Sequence, residues 1–268
     1  MALLEVRDLS VWFGTGPGAT RAVDSVSFDL EAGETLAIVG ESGSGKSTTA
    51  LAIARLLDSP PARVEARSIA LAGRELTALP ERAMRAVRGT EIGLVLQDPM
   101  ASLTPWLTVG EQIAEVLEVH RGASAREARR AAAAALLEVG IADPEARLDA
   151  WPHEMSGGMR QRATIAMALL LSPKVLVADE PTSALDATVQ AQVLDLLAAL
   201  RARHGTAILL VTHSLGVVAA AADRALVMRA GRVVETAGVR ELFRAPRDAY
   251  TRELLASAPG YSPAGAVP

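Results

Sequence analysis

The sequence contains no cysteine. That absence excludes a disulfide framework, a zinc site held by thiolates and an iron–sulfur cluster. It fits a reducing compartment. Lysine is almost missing as well: of 27 basic residues only Lys46 and Lys174 are lysines, and the other 25 are arginines. A chain that so rarely chooses lysine gives weight to the places where it does. No excess of positive charge exists either. The net charge of −4 leaves no electrostatic footprint for nucleic acid. The first residues, "MALLEVRDLSVWF", have no basic region followed by an apolar core, so they read as a strand and not as a secretory signal. The apolar run "IAMALLL" is far short of the about 20 residues that span a bilayer. A soluble protein is expected, one that reaches any membrane through a partner.

What is present is apolar residue in quantity, half of 268 residues, enough for a substantial core in one large domain or two small ones. "EVRDLSVWF" and "AVDSVSFDL" alternate and predict an antiparallel pair. "ETLAIVG", "ARSIALAG", "EIGLVLQ", "KVLVADE" and "TAILLVTH" predict further strands, most of them nearly continuous apolar runs. "GKSTTALAIARLL" and "ATVQAQVLDLLAALRARHG" predict helices between them, and "RALVMRAGRVVETA" predicts a hairpin turning at Ala230–Gly231. Apolar strands alternating with helices imply an α/β fold with a mostly parallel sheet covered on both faces. The stretch between Gln97 and Ser156 turns helical and looks like an insertion. Within it, "SAREARRAAAAALLEVG" reads as a solvated amphipathic helix ending at Gly140. The end, "GYSPAGAVP", is expected to be disordered.

Gly40-Glu41-Ser42-Gly43-Ser44-Gly45-Lys46-Ser47, followed by Thr48, matches G-x-x-x-x-G-K-[ST] between a strand and a helix. Such a loop turns its amides around a β-phosphate at the positive end of a helix. Lys46 would bridge β- and γ-oxygens, and the Ser47 hydroxyl would hold Mg²⁺. A plain glycine-rich turn is the alternative, which the context and the scarce lysine disfavour. Asp179 and Glu180 end an apolar strand. Ligands sit at the carboxyl ends of strands in open α/β sheets, so Asp179 is assigned to the Mg²⁺ shell and Glu180 to polarising an attacking water as general base. Gln97 leaves the strand "IGLVL" and can bind Mg²⁺ or that water. His213 ends the strand "TAILLVT" and can donate to the γ-phosphate. Alone, a polar residue or a histidine at a strand end is ordinary.

Ser156-Gly157-Gly158 opens another helix and reads as a second anion site. One nucleotide needs only one cradle, but two chains meeting head to tail would each use both devices: Ser156–Gly158 of one subunit caps the γ-phosphate held by the other. With that logic, the ordered set resembles the ATP-binding cassette family. The resemblance implies a P-loop NTPase (RecA-like) core with an antiparallel β subdomain and an inserted α-helical subdomain. It implies that ATP and Mg²⁺ bind and that Phe13 stacks on adenine, with Trp12 as the rival aromatic on the opposite face. Gly40–Ser47 becomes the Walker A loop, Gln97 the Q-loop, and Ser156–Met159 the signature. Asp179–Glu180 becomes the Walker B pair, "SALD" with Asp186 the D-loop, and His213 the switch histidine. The implied organisation is a single ATPase domain over 1–258. Its core with the β subdomain covers 1–97 and 157–235, its helical subdomain about 98–156, and its C-terminal helical extension 236–258.

"QDPMASLTP", "MSGGMRQR", "ADEPTSALD" and "ELFRAPRDAYTRELLASAP" are similar to the ATPase subunits of dipeptide, oligopeptide and nickel importers. The tail of that group usually carries His-Pro-Tyr-Thr; here it is Asp248-Ala249-Tyr250-Thr251. The signature has Met159 where the family has Gln, and Ser214 follows His213 where the family mostly has Asp. In this group a Met there implies a second, non-identical ATPase subunit. The resemblance further implies two integral-membrane permease subunits, an extracytoplasmic substrate-binding protein reached through them, and peripheral attachment at the cytoplasmic face of the inner membrane. A soluble ATPase of the same family acting on DNA or ribosomes is the alternative. The absence of a basic patch, a second Walker A and a long heptad segment speaks against it.

Overall fold

The computed structural model describes residues 2–183 and 185–258, so the tail expected to be disordered lies outside the described residues. The strands and helices follow in chain order: β1 (Leu4–Phe13), β2 (Thr20–Leu30), β3 (Thr35–Val39), α1 (Lys46–Ile53), β4 (Ala62–Glu65), β5 (Ser68–Leu71), β6 (Arg74–Glu75), α2 (Glu81–Val87), β7 (Ile92–Val95), α3 (Pro99–Ser102) and α4 (Val109–Arg121). Then come α5 (Ala125–Glu138), α6 (Pro144–Leu148), α7 (Gly157–Leu169), β8 (Val175–Asp179), α8 (Ala187–His204), β9 (Ala207–Thr212), α9 (Leu215–Ala221), β10 (Arg224–Arg229), β11 (Arg232–Gly238), α10 (Val239–Arg244) and α11 (Ala249–Ala256). Their contacts form two units. One runs to Met84 and resumes at Ala207; the other is Arg85–Thr206.

In the first unit β1 and β2 form the expected antiparallel pair, from Leu4↔Leu30 to Phe13↔Thr20. On β2, Val26, Phe28 and Leu30 are buried while Ser25 and Ser27 face water. That is the period-2 pattern of a half-covered sheet. β4 and β5 pair with the other edge of β1, and β6 continues from β5. The strands β10, β3 and β9 lie parallel to one another, with β11 antiparallel at the edge beside β10. Every residue of β3 and β9 is buried, as strands covered on both faces must be. The hairpin turns at Ala230–Gly231 as read, and both residues have positive φ, 47° and 81°. Two such residues are what a two-residue hairpin turn requires.

The first helix ends at Ile53, several residues earlier than expected. Arg55 takes φ 52°, and its guanidinium turns to the carbonyls of Leu76 and Leu79. The second unit pairs β7 with β8 in parallel. Its helices α4 and α5 each begin with a reciprocal capping box, Thr108 with Glu111 and Ser124 with Glu127, which satisfies two amides at each helix start.

After β11 the chain folds back as α10 and α11. Leu242, Tyr250 and Leu255 join Val39, Val218 and Val227 in one buried cluster. The start of α11 is anchored by Glu235 of β11, whose carboxylate accepts the amides of Arg247 at 2.9 Å and Asp248 at 3.0 Å. Burial pushes the Glu235 carboxyl up, but the nearby Thr251 hydroxyl, these two amides and the Arg247 charge outweigh it and hold the group below the ordinary glutamate range. A depressed carboxyl contributes fully above its ordinary value and loses that contribution as pH falls through the folded value. Glu235→Gln should therefore lower stability by about 1–2 kcal/mol at neutral pH. In urea melts the gap between variant and wild type should close as acid protonates Glu235. A gap unchanged with pH would refute the ionic contribution.

Candidate functional site

The phosphate loop runs from the end of β3 to the start of α1, within the first unit. It is pressed against its neighbours. A Cβ on Gly45 would lie 2.4 Å from the Ala22 carbonyl, and one on Gly40 would lie 2.2 Å from the Met228 carbonyl. Gly45 also has φ 96°, which glycine alone adopts without cost. The Ser44 carbonyl accepts the Gly231 amide at 3.0 Å, so the β10–β11 turn braces the loop. Lys46 is buried. Its ammonium donates to the carbonyls of Gly40 and Glu41, each at 2.8 Å. The loop thus curls around its own lysine, and α1 begins with no side-chain cap on Gly45. A helix start framed by glycine, hydroxyls and an ammonium is a place for phosphate oxygens.

Sequence reading missed one contact here. The Glu41 amide donates to the Tyr250 hydroxyl at 3.1 Å, across 209 residues of sequence. The tail motif drew attention to Tyr250 without giving it a task.

Phe13, at the end of β1, pairs with Thr20 and Ala62 and is half-buried. Its rival Trp12 is flanked by two guanidiniums, Arg21 at 5.1 Å and Arg63 at 4.3 Å from the ring centroid. His213 follows β9 and is exposed. The next residue, Ser214, caps α9 by accepting the Val217 amide at 3.4 Å. Serine and aspartate both serve as helix N-caps, so the departure from Asp at this position keeps the capping function.

In the second unit, the wholly buried β8 ends at Asp179, which is itself buried, and Glu180 follows at φ 46°. A non-glycine residue held in the left-handed region marks a position imposed by its surroundings. Gln97, leaving β7, donates its Nε2 to Glu180 Oε2 at 3.0 Å. Both line a cavity of about 120 Å³ with Met100, Gly157, Arg160 and Leu185. Ser156 caps α7, accepting the Met159 amide at 3.3 Å; a hydroxyl that accepts in this way still has its proton to donate. Gly158 leaves no room for a side chain, since a Cβ there would lie 2.8 Å from Val189. Asp186 caps α8, its carboxylate accepting the amides of Thr188 and Val189, both at 3.0 Å.

Two groups of the expected residues are therefore assembled. Gly40–Thr48 form a single loop in one unit. Gln97, Glu180 and Gly157 share a cavity in the other. Phe13, His213, Ser156 and Asp186 each stand at the end of a strand or the start of a helix.

The model of the ABC transporter family matches residues 23–183. The peptidoglycan transport ATP-binding protein YejF of Agrobacterium fabrum is 53% identical over 97% of this chain, which spans 48% of that relative's length. The oligopeptide transport ATP-binding protein OppD of Bacillus subtilis is 52% identical over 98% of this chain and 74% of its own. Among solved structures, the dimeric post-hydrolysis state of the ATP-binding cassette MJ0796 bound to ADP and Pi aligns with a TM-score of 0.78 at 28% identity, covering 88% of this chain and 99% of that one. The fold is thus the α/β P-loop NTPase core with its antiparallel β and α-helical subdomains. The chain belongs to the ABC transporter family, as one of its ATP-binding, ATP-hydrolysing subunits.

Proposed function

We propose that this chain powers the import of peptides through a membrane permease. The observation that carries the reading is similarity over nearly the whole chain to ATP-binding proteins of peptidoglycan and oligopeptide transport. Nickel or a metal chelate, the other cargo of the importer group, draws no support from those names. Nor do they favour a soluble relative acting on DNA or ribosomes. Among the described residues no helix is long and apolar enough to cross a membrane. Attachment at the cytoplasmic face therefore falls to two permease subunits, which receive cargo from an extracytoplasmic binding protein.

The loop Gly40–Thr48 holds the phosphates of ATP, and Phe13 takes the adenine. Trp12 already presents its ring to two arginines, which leaves Phe13 the better stacking face. Mg²⁺ suits the donors available, since the hydroxyl of Ser47, the side-chain carbonyl of Gln97 and the carboxylate of Asp179 are all hard oxygens. When bound, it would neutralise charge on the β- and γ-oxygens. Glu180 orients and deprotonates the attacking water, and His213 donates to the γ-phosphate. Ser156, Gly157 and Gly158 cap the γ-phosphate of a facing subunit, with Asp186 near that junction. Met159 offers no polar contact there, which supports a facing subunit of different sequence. ATP binding favours the closed pair over the open one, and only that differential affinity can drive the permease.

The test is to tag the protein in its own cell, solubilise the membranes gently and identify what co-purifies. Two polytopic proteins with a second ATPase are expected, and peptide-loaded binding protein should stimulate ATP hydrolysis by the purified assembly. Recovery alone, or with ribosomes or DNA, would overturn the transport reading and leave the ATP chemistry standing.

A further inference from the structure

The peptide unit joining Gly40 to Glu41 is held at both ends. Its carbonyl accepts from Lys46 Nζ at 2.8 Å, and its amide donates to Tyr250 Oη at 3.1 Å. A peptide unit is planar, so the two ends cannot turn independently. The bond from Tyr250 therefore also fixes where the Gly40 carbonyl points, and with it the place where the Lys46 ammonium rests.

Tyr250 is well supported for such a task. Its ring is buried, 3% exposed, among Val39, Leu242 and Leu255. Val39 is the last residue before the loop. The Arg229 guanidinium lies over the ring, 4.7 Å from its centroid, a geometry in which the cation is attracted to the ring face. Asp248 caps α11 and accepts the Tyr250 amide at 2.8 Å, and Glu235 anchors the same turn. A buried tyrosine hydroxyl finds a polar partner; here that partner is the second residue of the phosphate loop.

We infer that Tyr250 is a positioning residue for nucleotide binding: the helix α11 acts as a strut that holds the Gly40–Glu41 peptide, and through it Lys46, in the orientation that receives phosphate. The inference rests on the reading of Gly40–Thr48 as the nucleotide site. Without the hydroxyl the Glu41 amide loses its acceptor. Glycine at position 40 then lets the peptide rotate, and the Gly40 carbonyl swings away from the lysine.

Tyr250→Phe keeps the ring and removes only the oxygen. In the full-length chain it should weaken binding of a fluorescent ADP analogue carrying a methylanthraniloyl group by about five-fold, the size of one lost hydrogen bond. The KM for ATP should rise by a similar factor, with a smaller change in maximal rate. The melting temperature should stay within about 2 °C of wild type. Leu255→Ala removes apolar packing from the far end of the same buried cluster and leaves the Tyr250 hydroxyl bond in place. It should lower the melting temperature and leave ADP affinity within about two-fold. Equal affinities for Tyr250→Phe and wild type would overturn the strut. So would a loss of affinity that simply tracks melting temperature across both variants. A wild-type chain that binds no ADP analogue would instead overturn the nucleotide reading itself, and the strut with it.

Discussion

Glu180→Gln is expected to leave ATP bound and to stop its turnover. The substitution keeps the size of the side chain and an oxygen that can accept the Gln97 amide, which in the native protein lies 3.0 Å from Glu180 Oε2. The unusual backbone at φ 46° is not disturbed. What disappears is the basicity. A positioned general base contributes about 10²–10⁴-fold in rate, so hydrolysis should fall by at least about 100-fold while ATP affinity stays within about three-fold. If ATP is the glue between two facing subunits, the variant mixed with its facing subunit should also accumulate as a nucleotide-bound dimer in gel filtration, because the γ-phosphate at the Glu180 site stays in place. Turnover near the wild-type rate would sink the assignment of Glu180. Loss of binding together with loss of rate would mean that the residue supports the fold and not the chemistry.

The Gln97 contact adds a condition to this chemistry. One carboxylate oxygen of Glu180 is engaged by a side chain that leaves β7 and leads into the helical stretch starting at α3. If Glu180 is the general base, a movement of the chain around Gln97 would alter how it meets the attacking water, a local route from the helical segment to the rate.

Much of this was readable along the chain, for a physical reason. β3, β8 and β9 are covered on both faces and so are continuous apolar runs. The β10–β11 turn needs two residues at positive φ and carries Ala230–Gly231. The phosphate loop must approach the backbones of Ala22 and Met228 and so carries glycine. Each of these constraints acts on adjacent residues and leaves a local mark. What escaped reading lacks such a mark. β4, "ARVE", buries only Ala62 and is a strand because β1 pairs with it, Ser10↔Glu65 to Phe13↔Ala62. The helices α2, α3, α6 and α9 have seven or fewer residues, too few for a 3.6-residue period to show itself. The end of α1 was misplaced because Arg55 turns away to serve carbonyls some twenty residues on. The contact between Tyr250 and Glu41 joins positions 209 apart, and no pattern in one sequence encodes such a pair.

Lys46→Ala should act one step earlier than Glu180→Gln, on binding itself. Lys46 is 5% exposed and makes two bonds of 2.8 Å to the loop carbonyls. A hydrogen bond from a charged donor contributes about 1.5–3 kcal/mol. Phosphate oxygens that take over this ammonium gain bonds of the same kind, and the alanine variant can offer none. Two such bonds together correspond to a loss of affinity of at least about 100-fold. The Gly40 and Glu41 carbonyls would also lose their donor, so the empty loop should become less ordered even before ATP arrives. Arginine is no remedy, because its planar fork needs a different geometry from a compact ammonium. Titration with ATP, read by calorimetry, separates the cases. Lys46→Ala should show weak or no binding where Glu180→Gln binds normally. ATP affinity within about three-fold of wild type for Lys46→Ala would mean that the loop amides and the start of α1 hold the phosphates unaided, and that the lysine serves only to shape the loop.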